Sequence, residues 1–573
     1  MPMYNDDEQI KIESPDQDAS DTSAGTQSYV EPEGKTKLTI KRKEDAPLAE
    51  TDFKVLVELT GTADLKDRCG LDLVVVLDVS LSMDDDNGKK LNKMKTAMQF
   101  VIKKLTPNDR LSVVTFARTG DRRRRLMQMT ANAQKDIGEL VGSLRTGPYT
   151  NIVDGLRVGK QVVDGRKITA GRAAAIMLMS DGVDNVNGRN IRQVLNRQIP
   201  VWDVPVYTFG FGMEQDAQLL QEIATKSSRG TYSDVQNEEN LTLAFSQCLA
   251  GLQTIIAPDL TLTVIPEKNS KIVSVSVSDL DYPQSTEDDG SVTILFGDLF
   301  SRETRKAIVY LRLSEIKPRK GRTSVPSTIL QVNYTYTYAE GILFRAEAQL
   351  VEITRSRTAV TQEIEDILIE EDRLSTLKAI KDAIAEADRG NLRGAVSILE
   401  AALDSLNRAV YQPNEMTDTM KYELKRIIDL MKDPNTYKTR GRPFALSYVT
   451  SHGRQRYATK GDTGSDLKKM RSYATKNMNT SFEQAERFDK NPNISLPSAK
   501  EDAQLDLKND PFAPIAVPLA NNNQRAILAL KQNEDIIENV KTLEDIENIA
   551  RNVETGIQSL QKMLASIGNV LKT

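Results

Sequence analysis

Three oxygen-bearing side chains follow one strongly apolar stretch near residue 80. Residues 71–83 are LDLVVVLDVSLSM, in which Asp78, Ser80 and Ser82 alternate after the run Leu73–Leu77. A short β-branched run without alternation predicts a buried strand of a parallel sheet. Open α/β sheets place their ligand sites just beyond such strands, and hard oxygen donors suit Mg²⁺, Mn²⁺ or Ca²⁺ better than zinc. The pattern therefore predicts a divalent-metal site at the carboxyl edge of a sheet.

The segment from Leu71 to about Leu252 alternates predicted strands with predicted helices, as a doubly wound, mostly parallel sheet requires. Two later loops in this segment also carry oxygen groups. Thr150 opens a predicted helix, and Asp181 follows the predicted strand Ala174–Met179. A single Asp, Ser or Thr after a strand is more often a helix cap than a ligand, so each residue alone is weak evidence.

Taken together, the segments DVSLSM, YTNIVDGL and MLMSDG resemble the von Willebrand factor A (VWA) fold and its metal-ion-dependent adhesion site. The resemblance implies that Ser80 and Ser82 bind the metal directly, Thr150 directly or through water, and Asp78 and Asp181 mostly through water. It also implies one open coordination position, which a carboxylate of a partner protein fills. Mg²⁺ suits this arrangement because it keeps several waters and needs few fixed oxygen ligands.

Leu81 departs from the pattern, because intracellular relatives commonly carry Gly at this position. The departure keeps the ligands but places a bulky side chain beside the metal, which is expected either to narrow the range of partners or to weaken the site. The acids Asp84–Asp86 are expected to form a solvated loop at a helix N-terminus rather than extra ligands. The run Arg122–Arg125 is expected to be a charged connection between elements, with a surface for an acidic partner as the alternative.

Composition excludes several classes of protein. No apolar run approaches the length of a membrane span, and residues 1–21 lack a secretory signal. We therefore expect a cytoplasmic protein, with the nucleus as the alternative. The net charge of −5 gives no reason to expect binding to nucleic acid or to anionic membranes.

Cysteine and histidine are too scarce for other chemistry. Cys69 and Cys248 are the two cysteines and His452 is the one histidine, so neither a disulfide framework nor a zinc finger is expected. His452 lies in a polar, loop-like stretch, which argues against a Ser/His/Asp hydrolase. VWA domains of secreted proteins often join their ends by a disulfide, but in a reducing cytosol Cys69 and Cys248 should remain thiols.

The predicted secondary structure is different on both sides of the VWA segment. Alternating strands before it, including Lys37–Arg42 and Phe53–Leu59, and six strand-like stretches after it predict an antiparallel β-sandwich. The strand count predicts that the VWA domain is inserted into this sandwich. Helical stripes follow, and residues 546–571 repeat apolar positions as a heptad seam. A homo-oligomeric coiled coil and an intramolecular hairpin are equally compatible with that seam.

The expected class is therefore α/β plus all-β plus all-α, in a multidomain chain. The expected segments are a disordered acidic tail (1–35), N-terminal strands of the sandwich (36–62), the VWA domain (69–254), the β-sandwich (256–357), a helical bundle (361–460), a polar linker or extension (462–520) and a helical hairpin or coiled coil (521–573).

The layout after the VWA segment resembles plant VWA proteins related to RING-type ubiquitin ligases. The segments GRPFALSYVTSHGRQRYAT and YNDDEQIKIESPD further resemble a grass-specific branch of that group. We expect a non-enzymatic protein that captures an exposed Glu or Asp of a partner protein through a divalent metal. The alternative is an adaptor or regulator in ubiquitin transfer that lacks the RING, since the cysteines and histidine cannot ligate two zinc ions. A metal-dependent hydrolase is less favoured, because it needs a general base near the metal.

Overall fold

The structure is a computed structural model that describes residues 35–63, 68–227, 229–278, 282–319, 322–337, 342–359, 362–461 and 469–508. Most of the acidic tail expected at 1–35, and all of the segment 521–573 with its heptads, lie outside these residues. The chain divides into two compact units, Met1–Asp502 and Ala503–Thr573. The sheets and the helices up to residue 490 belong to the first unit. None of the described helices combines the length and the apolar character that a membrane span needs.

A six-stranded sheet forms the centre of the VWA segment, with the strand order β6-β5-β4-β7-β8-β9. Its pairs are parallel except β5–β6, which is antiparallel. The strands are β4 (Gly70–Asp78), β5 (Arg110–Phe116), β6 (Gly120–Gln128), β7 (Arg172–Ser180), β8 (Val206–Phe211) and β9 (Tyr232–Val235). The helices are α1 (Asp85–Lys104), α2 (Ala131–Ser143), α3 (Ile152–Asp164), α4 (Ile191–Gln198), α5 (Ala217–Lys226) and α6 (Leu241–Leu252).

Strand β4 is buried along its whole length, as the apolar run predicts. Val74 and Val76 belong to the core on one face of the sheet, whereas Leu73, Val75 and Leu77 belong to the core on the other. Helices therefore cover both faces, and the open edge at the carboxyl end of β4 is left for ligands.

Two further sheets contain strands from both sides of the VWA segment, with the orders β1-β3-β14-β11 and β12-β13-β10-β15-β17-β2. Their strands are β1 (Thr36–Arg42), β2 (Asp45–Pro47), β3 (Thr51–Gly61), β10 (Ile255–Pro266), β11 (Ser270–Ser276), β12 (Gln284–Thr286), β13 (Val292–Phe300), β14 (Thr304–Leu313), β15 (Ser324–Thr337), β16 (Leu343–Arg345), which pairs with β15, and β17 (Gln349–Ser356). Strand β3 pairs antiparallel with β14 over its length, and side chains of both sheets share one core.

Within the first unit, the helical region up to residue 490 packs on the VWA domain and on these sheets. Its helices are α7 (Glu365–Asp388), α8 (Leu392–Arg408), α9 (Glu415–Leu430), α10 (Pro434–Thr436), α11 (Arg442–Arg454) and α12 (Lys476–Lys490), with a π-helical turn at Tyr437–Gly441 before α11. A last helix, α13 (Ala499–Lys508), spans the boundary between the two units. Every residue of α11 after Arg442 is buried.

Three local expectations differ from the structure. Arg122–Arg125 lie within β6, the edge strand of the six-stranded sheet, and not in a connection. His452 is fully buried in α11 rather than in a polar loop. The segment 462–520, expected as a polar linker, contains α12, whose Phe482 and Phe488 pack with Phe100 of α1.

Candidate functional site

Asp78 is the last residue of β4 and is completely buried. The backbone N–H of Ser80 donates to its Oδ1 at 2.8 Å, and the Ser180 hydroxyl donates to its Oδ2 at 2.7 Å. Ser180 ends β7, the neighbour of β4, so the parallel register brings the two strand ends together. These bonds fix the Asp78 carboxylate beneath the two loops that follow the strands.

Ser80, Ser82 and Asp181 form a chain of oxygen atoms above Asp78. The hydroxyl oxygens of Ser80 and Ser82 lie 2.9 Å apart, and the Ser82 hydroxyl donates to Asp181 Oδ1 at 2.7 Å. The other oxygen of Asp181 accepts from the ammonium group of Lys90 on α1, also at 2.7 Å. Asp181 and Ser80 are buried, whereas Ser82 is half-buried and opens the cluster toward solvent.

Thr150 approaches the cluster from the loop before α3. Its backbone is held by Asn185, which accepts from the Thr150 N–H at 2.9 Å and donates its own N–H to the Thr150 carbonyl at 3.0 Å. A side-chain carbon placed on Gly182 would lie 3.5 Å from Ser82 Oγ and 3.9 Å from Thr150 Oγ1. The structure thus brings all five predicted residues to one edge of the sheet.

The charges at this edge of the sheet favour the binding of a cation. Burial, together with the negative charge of Asp181, raises the pKa of Asp78 to about 7, although the hydrogen bonds from Ser80 and Ser180 oppose the shift. Two buried carboxylates therefore repel each other, with Lys90 as an ammonium group in contact with one of them. A divalent cation among these oxygens would relieve the repulsion.

The donor set fits a hard divalent cation. Two carboxylates and three hydroxyls are oxygen donors of the kind that Mg²⁺ takes together with water. Within the described ranges, no cluster of three or more His, Cys, Asp or Glu side chains has the geometry of a metal site. That result is consistent with this site, because most of its oxygens belong to Ser and Thr.

A supporting layer of polar residues lies behind Thr150. Asp184 is buried and accepts from the backbone N–H groups of Val186 and Asn187, at 3.2 and 2.8 Å. The Asn187 amide donates to Asn151, the N-cap of α3. Asp184 and Asn187, and also Lys90 and Ser180, were not predicted from the sequence as residues of the site. The spacing of polar residues in DGVDNVN (residues 181–187) could have indicated Asp184 and Asn187, whereas nothing in the sequence singles out Lys90.

The single imidazole takes no part in the site. His452 Nε2 lies 2.9 Å from the buried carboxylate of Glu423, and the Tyr448 ring stacks on the imidazole at 3.9 Å. Burial lowers the pKa of His452, although Glu423 opposes the shift. Both cysteines are free thiols, and burial raises the pKa of Cys69 to about 11, so neither is a reactive thiolate at neutral pH.

Comparison with known families supports the fold of this region. Residues 72–247 match the von Willebrand factor type A domain family, and residues 414–487 match the VWA/Hh protein intein-like family. The solved structure of a von Willebrand factor type A protein from Catenulispora acidiphila superposes with a TM-score of 0.57 at 17% identity, over 74% of this chain and 97% of the other. That likeness shows a shared fold.

Curated relatives extend the comparison to plants and cyanobacteria. The chain is 30% identical to the E3 ubiquitin-protein ligase WAV3 of Arabidopsis thaliana, over 45% of this chain and 33% of WAV3. It is 27% identical to an uncharacterized protein of Synechocystis, over 62% of this chain and 83% of that protein. The chain therefore spans about a third of the length of WAV3. The chain thus contains a VWA domain and is similar in sequence to a plant protein named as an E3 ubiquitin-protein ligase.

Proposed function

Because residues 72–247 form a von Willebrand factor type A domain, we propose that this chain is a non-enzymatic protein-binding protein. It captures a Glu or Asp of a partner protein at a divalent-metal site formed by Asp78, Ser80, Ser82, Thr150 and Asp181. One observation carries the proposal above others. The oxygens of Ser80, Ser82 and Asp181 form an unbroken chain of contacts of 2.9 Å or less at the open edge of the sheet.

The proposed roles follow from burial and partners. Ser80 and Ser82 hold the ion through neutral hydroxyls, with Thr150 beside them, while Asp78 and Asp181 supply charge from deeper in the protein. Few charged ligands leave the ion strongly electrophilic, so an incoming carboxylate is a favourable further ligand. Mg²⁺ is the proposed ion, with Mn²⁺ or Ca²⁺ as alternatives.

Binding is favoured over hydrolysis because, among the side chains that the structure describes, no unengaged general base lies at the site. The carboxylate of Asp78 already accepts from Ser80 and Ser180, and that of Asp181 from Ser82 and Lys90. The imidazole of His452 is engaged by Glu423 and buried elsewhere. A hydrolase would need a free base positioned to activate water.

A second candidate function is that of an adaptor or regulator in ubiquitin transfer. The names of the plant relatives favour it, since WAV3 and its homologue WAVH2 are described as ubiquitin-protein ligases or probable ligases. Two cysteines and one histidine cannot ligate the zinc ions of a RING, so this chain would act without a RING of its own. The cytoplasm is the proposed location, with the nucleus as the alternative. For residues 546–571, which lie outside the described ranges, a homo-oligomeric coiled coil and an intramolecular hairpin stay equal alternatives.

The arrangement of the sheets supports a proposal about the architecture. Strand β3 precedes the VWA segment and β14 follows it, yet the two pair from Thr51 with Leu313 to Thr60 with Thr304. We therefore interpret the VWA domain as an insertion into a β-sandwich. The insertion ties both ends of the VWA domain to one rigid support and leaves its metal edge free to meet a partner.

An affinity pull-down from cell extract tests the proposed function. The full chain is presented in Mg²⁺ and in EDTA, beside Asp78→Ala and the exposed control Asp404→Ala. Partners should be retained by the wild type and the control in Mg²⁺ and lost in EDTA and with Asp78→Ala. Equal retention under all conditions would contradict capture through a metal, and retained ubiquitin-conjugating proteins would favour the second function.

A further inference from the structure

Five exposed apolar side chains belong to the loops that carry the polar site or to the neighbouring loop after β8. They are Leu81, Tyr149, Val183, Val186 and Met213, with exposed fractions of 58, 48, 55, 44 and 64%. We call these five residues the apolar collar. Single exposed apolar residues are ordinary on a protein surface, but a cluster beside a polar centre marks an interaction surface.

Each collar residue is tied to a site residue by the chain or by a contact. Leu81 stands between Ser80 and Ser82, Tyr149 precedes Thr150, and Val183 follows Asp181 by two positions. These three collar residues thus lie on the three loops that carry the oxygens of the site.

The other two members lie on the same edge. Val186 adjoins Asn185, whose two hydrogen bonds hold the backbone of Thr150. Met213 follows Gly212, and a side-chain carbon on Gly212 would lie 3.8 Å from Nζ of Lys90, which binds Asp181. The collar residues therefore belong to loops at the same edge of the sheet as the oxygens.

Tyr149 is held in place at a conformational cost. Its backbone has a φ of 70°, a region that bulky side chains rarely adopt. The guanidinium group of Arg118 lies 5.0 Å from the centre of its ring. Strain of this kind is typically found at functional sites, and here it falls on a half-exposed aromatic residue that directly precedes Thr150.

The charged groups near the collar indicate which charge the central residue of the ligand carries. Lys90 binds Asp181, and Arg118 lies over the ring of Tyr149, the residue before Thr150, so each cationic group contacts a site residue or the neighbour of one. A carboxylate is complementary to these groups and to a divalent ion, whereas a cationic residue would be repelled. The ligand residues next to that carboxylate should be apolar, because they meet the apolar collar. Polar ligand residues would lose their hydrogen bonds to water there without gaining new hydrogen-bond partners.

We propose that this surface binds a short protein segment in which one Glu or Asp is flanked on both sides by apolar side chains. This inference rests on the proposed function and defines the partner of that same site. It also gives Leu81 a role: its side chain is a contact for the ligand's apolar flank, and it selects against acidic segments with polar flanks.

A random-peptide phage library, selected on the immobilised full chain in Mg²⁺, tests the inference. We expect enriched peptides to carry an acidic residue with apolar residues within two positions on each side, and to be released by EDTA. The synthetic form of one such peptide is then titrated into the double variant Leu81→Ser/Val183→Ser. Its affinity should fall about tenfold or more. The control Val201→Ser/Leu350→Ser removes two equally exposed side chains elsewhere and should leave the affinity unchanged.

The outcomes separate this inference from the proposed function. Acidic peptides with polar flanks, or an unchanged affinity in the collar variant with Mn²⁺ binding intact, would overturn the collar and keep metal-dependent capture. Binding of the wild type to phosphatidylcholine vesicles through the collar, with no peptide enriched, would also overturn it. Enriched peptides without an acidic residue that resist EDTA would overturn both.

Discussion

The ammonium nitrogen of Lys90 lies 2.7 Å from Oδ2 of Asp181, on the carboxylate whose Oδ1 accepts from Ser82. Asp181 is completely buried and the side chain of Lys90 is 18% exposed, so this ion pair is only partly screened by water. A lysine side chain thus brings a positive charge to the same oxygens that the proposed ion requires. The proposed ion would compete with this ammonium group for Asp181.

Lys90→Met should therefore strengthen metal binding. Removing the competing ammonium leaves Asp181 fully available, and we expect the Kd for Mn²⁺ to fall by about threefold to tenfold. Titration followed by electron paramagnetic resonance measures this Kd. Lys93→Met is the matched control, because Lys93 pairs with Glu239 and not with the site. Weaker Mn²⁺ binding by Lys90→Met would show instead that Lys90 supports the site.

Tyr149→Asn should stabilise the protein and weaken ligand binding. Asn tolerates a positive φ better than Tyr, so relief of strain should raise the free energy of unfolding by about 0.5–1 kcal/mol in EDTA. Denaturant unfolding measures the change. Arg118→Ala is the control for the contact between Arg118 and the Tyr149 ring, which Tyr149→Asn also removes. This variant should lower the free energy of unfolding slightly. A less stable Tyr149→Asn would mean that the ring contributes more packing than its exposure suggests.

Asp234 should make stability depend on pH. Burial raises its pKa to about 7, above the value of about 4 expected in the unfolded chain, while hydrogen bonds from Gln215 and Gln236 oppose the shift. The folded protein therefore holds this proton more tightly, and the free energy of unfolding should fall as pH rises from about 4 to about 7. Above that range the loss is complete.

Asp234→Asn tests this pH dependence, because an amide has no proton to lose. We expect it to raise the free energy of unfolding by about 1–3 kcal/mol at pH 8 and to leave it nearly unchanged at pH 4. The exposed Asp404→Asn serves as the control. Parallel pH profiles for wild type and Asp234→Asn would contradict the assignment.

Arg456 joins three parts of the first unit. Its guanidinium group donates to both carboxylate oxygens of Glu303 at 2.9 Å, to the Tyr207 hydroxyl at 2.9 Å and to the Asp298 carbonyl at 2.6 Å. Tyr207 belongs to β8 of the VWA domain, and Asp298 belongs to β13. Glu303 and Arg456 are both buried.

Arg456→Met should destabilise the whole unit, because it leaves the charge of Glu303 buried with one fewer partner. We expect a loss of about 3–5 kcal/mol in the free energy of unfolding. We also expect the wild-type VWA domain and the sheets to unfold in one transition by calorimetry. The exposed Arg408→Met should change little. Two separate transitions in the wild type would show that the modules are independent.

The strand β4 and the oxygens at its end could be predicted from sequence because burial on both faces leaves a distinctive apolar run. Parallel strands carry their carboxyl ends to one edge, so Asp181 was expected near Asp78. Lys90 could not be predicted, since a long flexible side chain on a helix reaches the site only through the tertiary packing of α1. Its neighbour Lys89 points instead to Glu238.

Some helices and strands could not be predicted from the sequence because they carry polar or charged residues where a regular apolar pattern is expected. Helix α11 buries Ser447, Thr450, Ser451 and His452, so it lacks the apolar periodicity that announces a helix. Strand β6 carries charged residues on both faces because it is an edge strand, where charge also discourages unwanted pairing. In α12, apolar anchors such as Phe482 are few and lie among polar residues.

Calorimetric titration of the full chain with Mn²⁺ tests the central claim most directly. The wild type and the exposed control Ser143→Ala should bind one ion per chain. Ser82→Ala and Asp181→Asn should bind at least about tenfold more weakly, because each loses one oxygen of the cluster, while their melting shows that they remain folded. Equal binding by all four proteins, or no saturable binding by the wild type, would contradict a metal site formed by these residues.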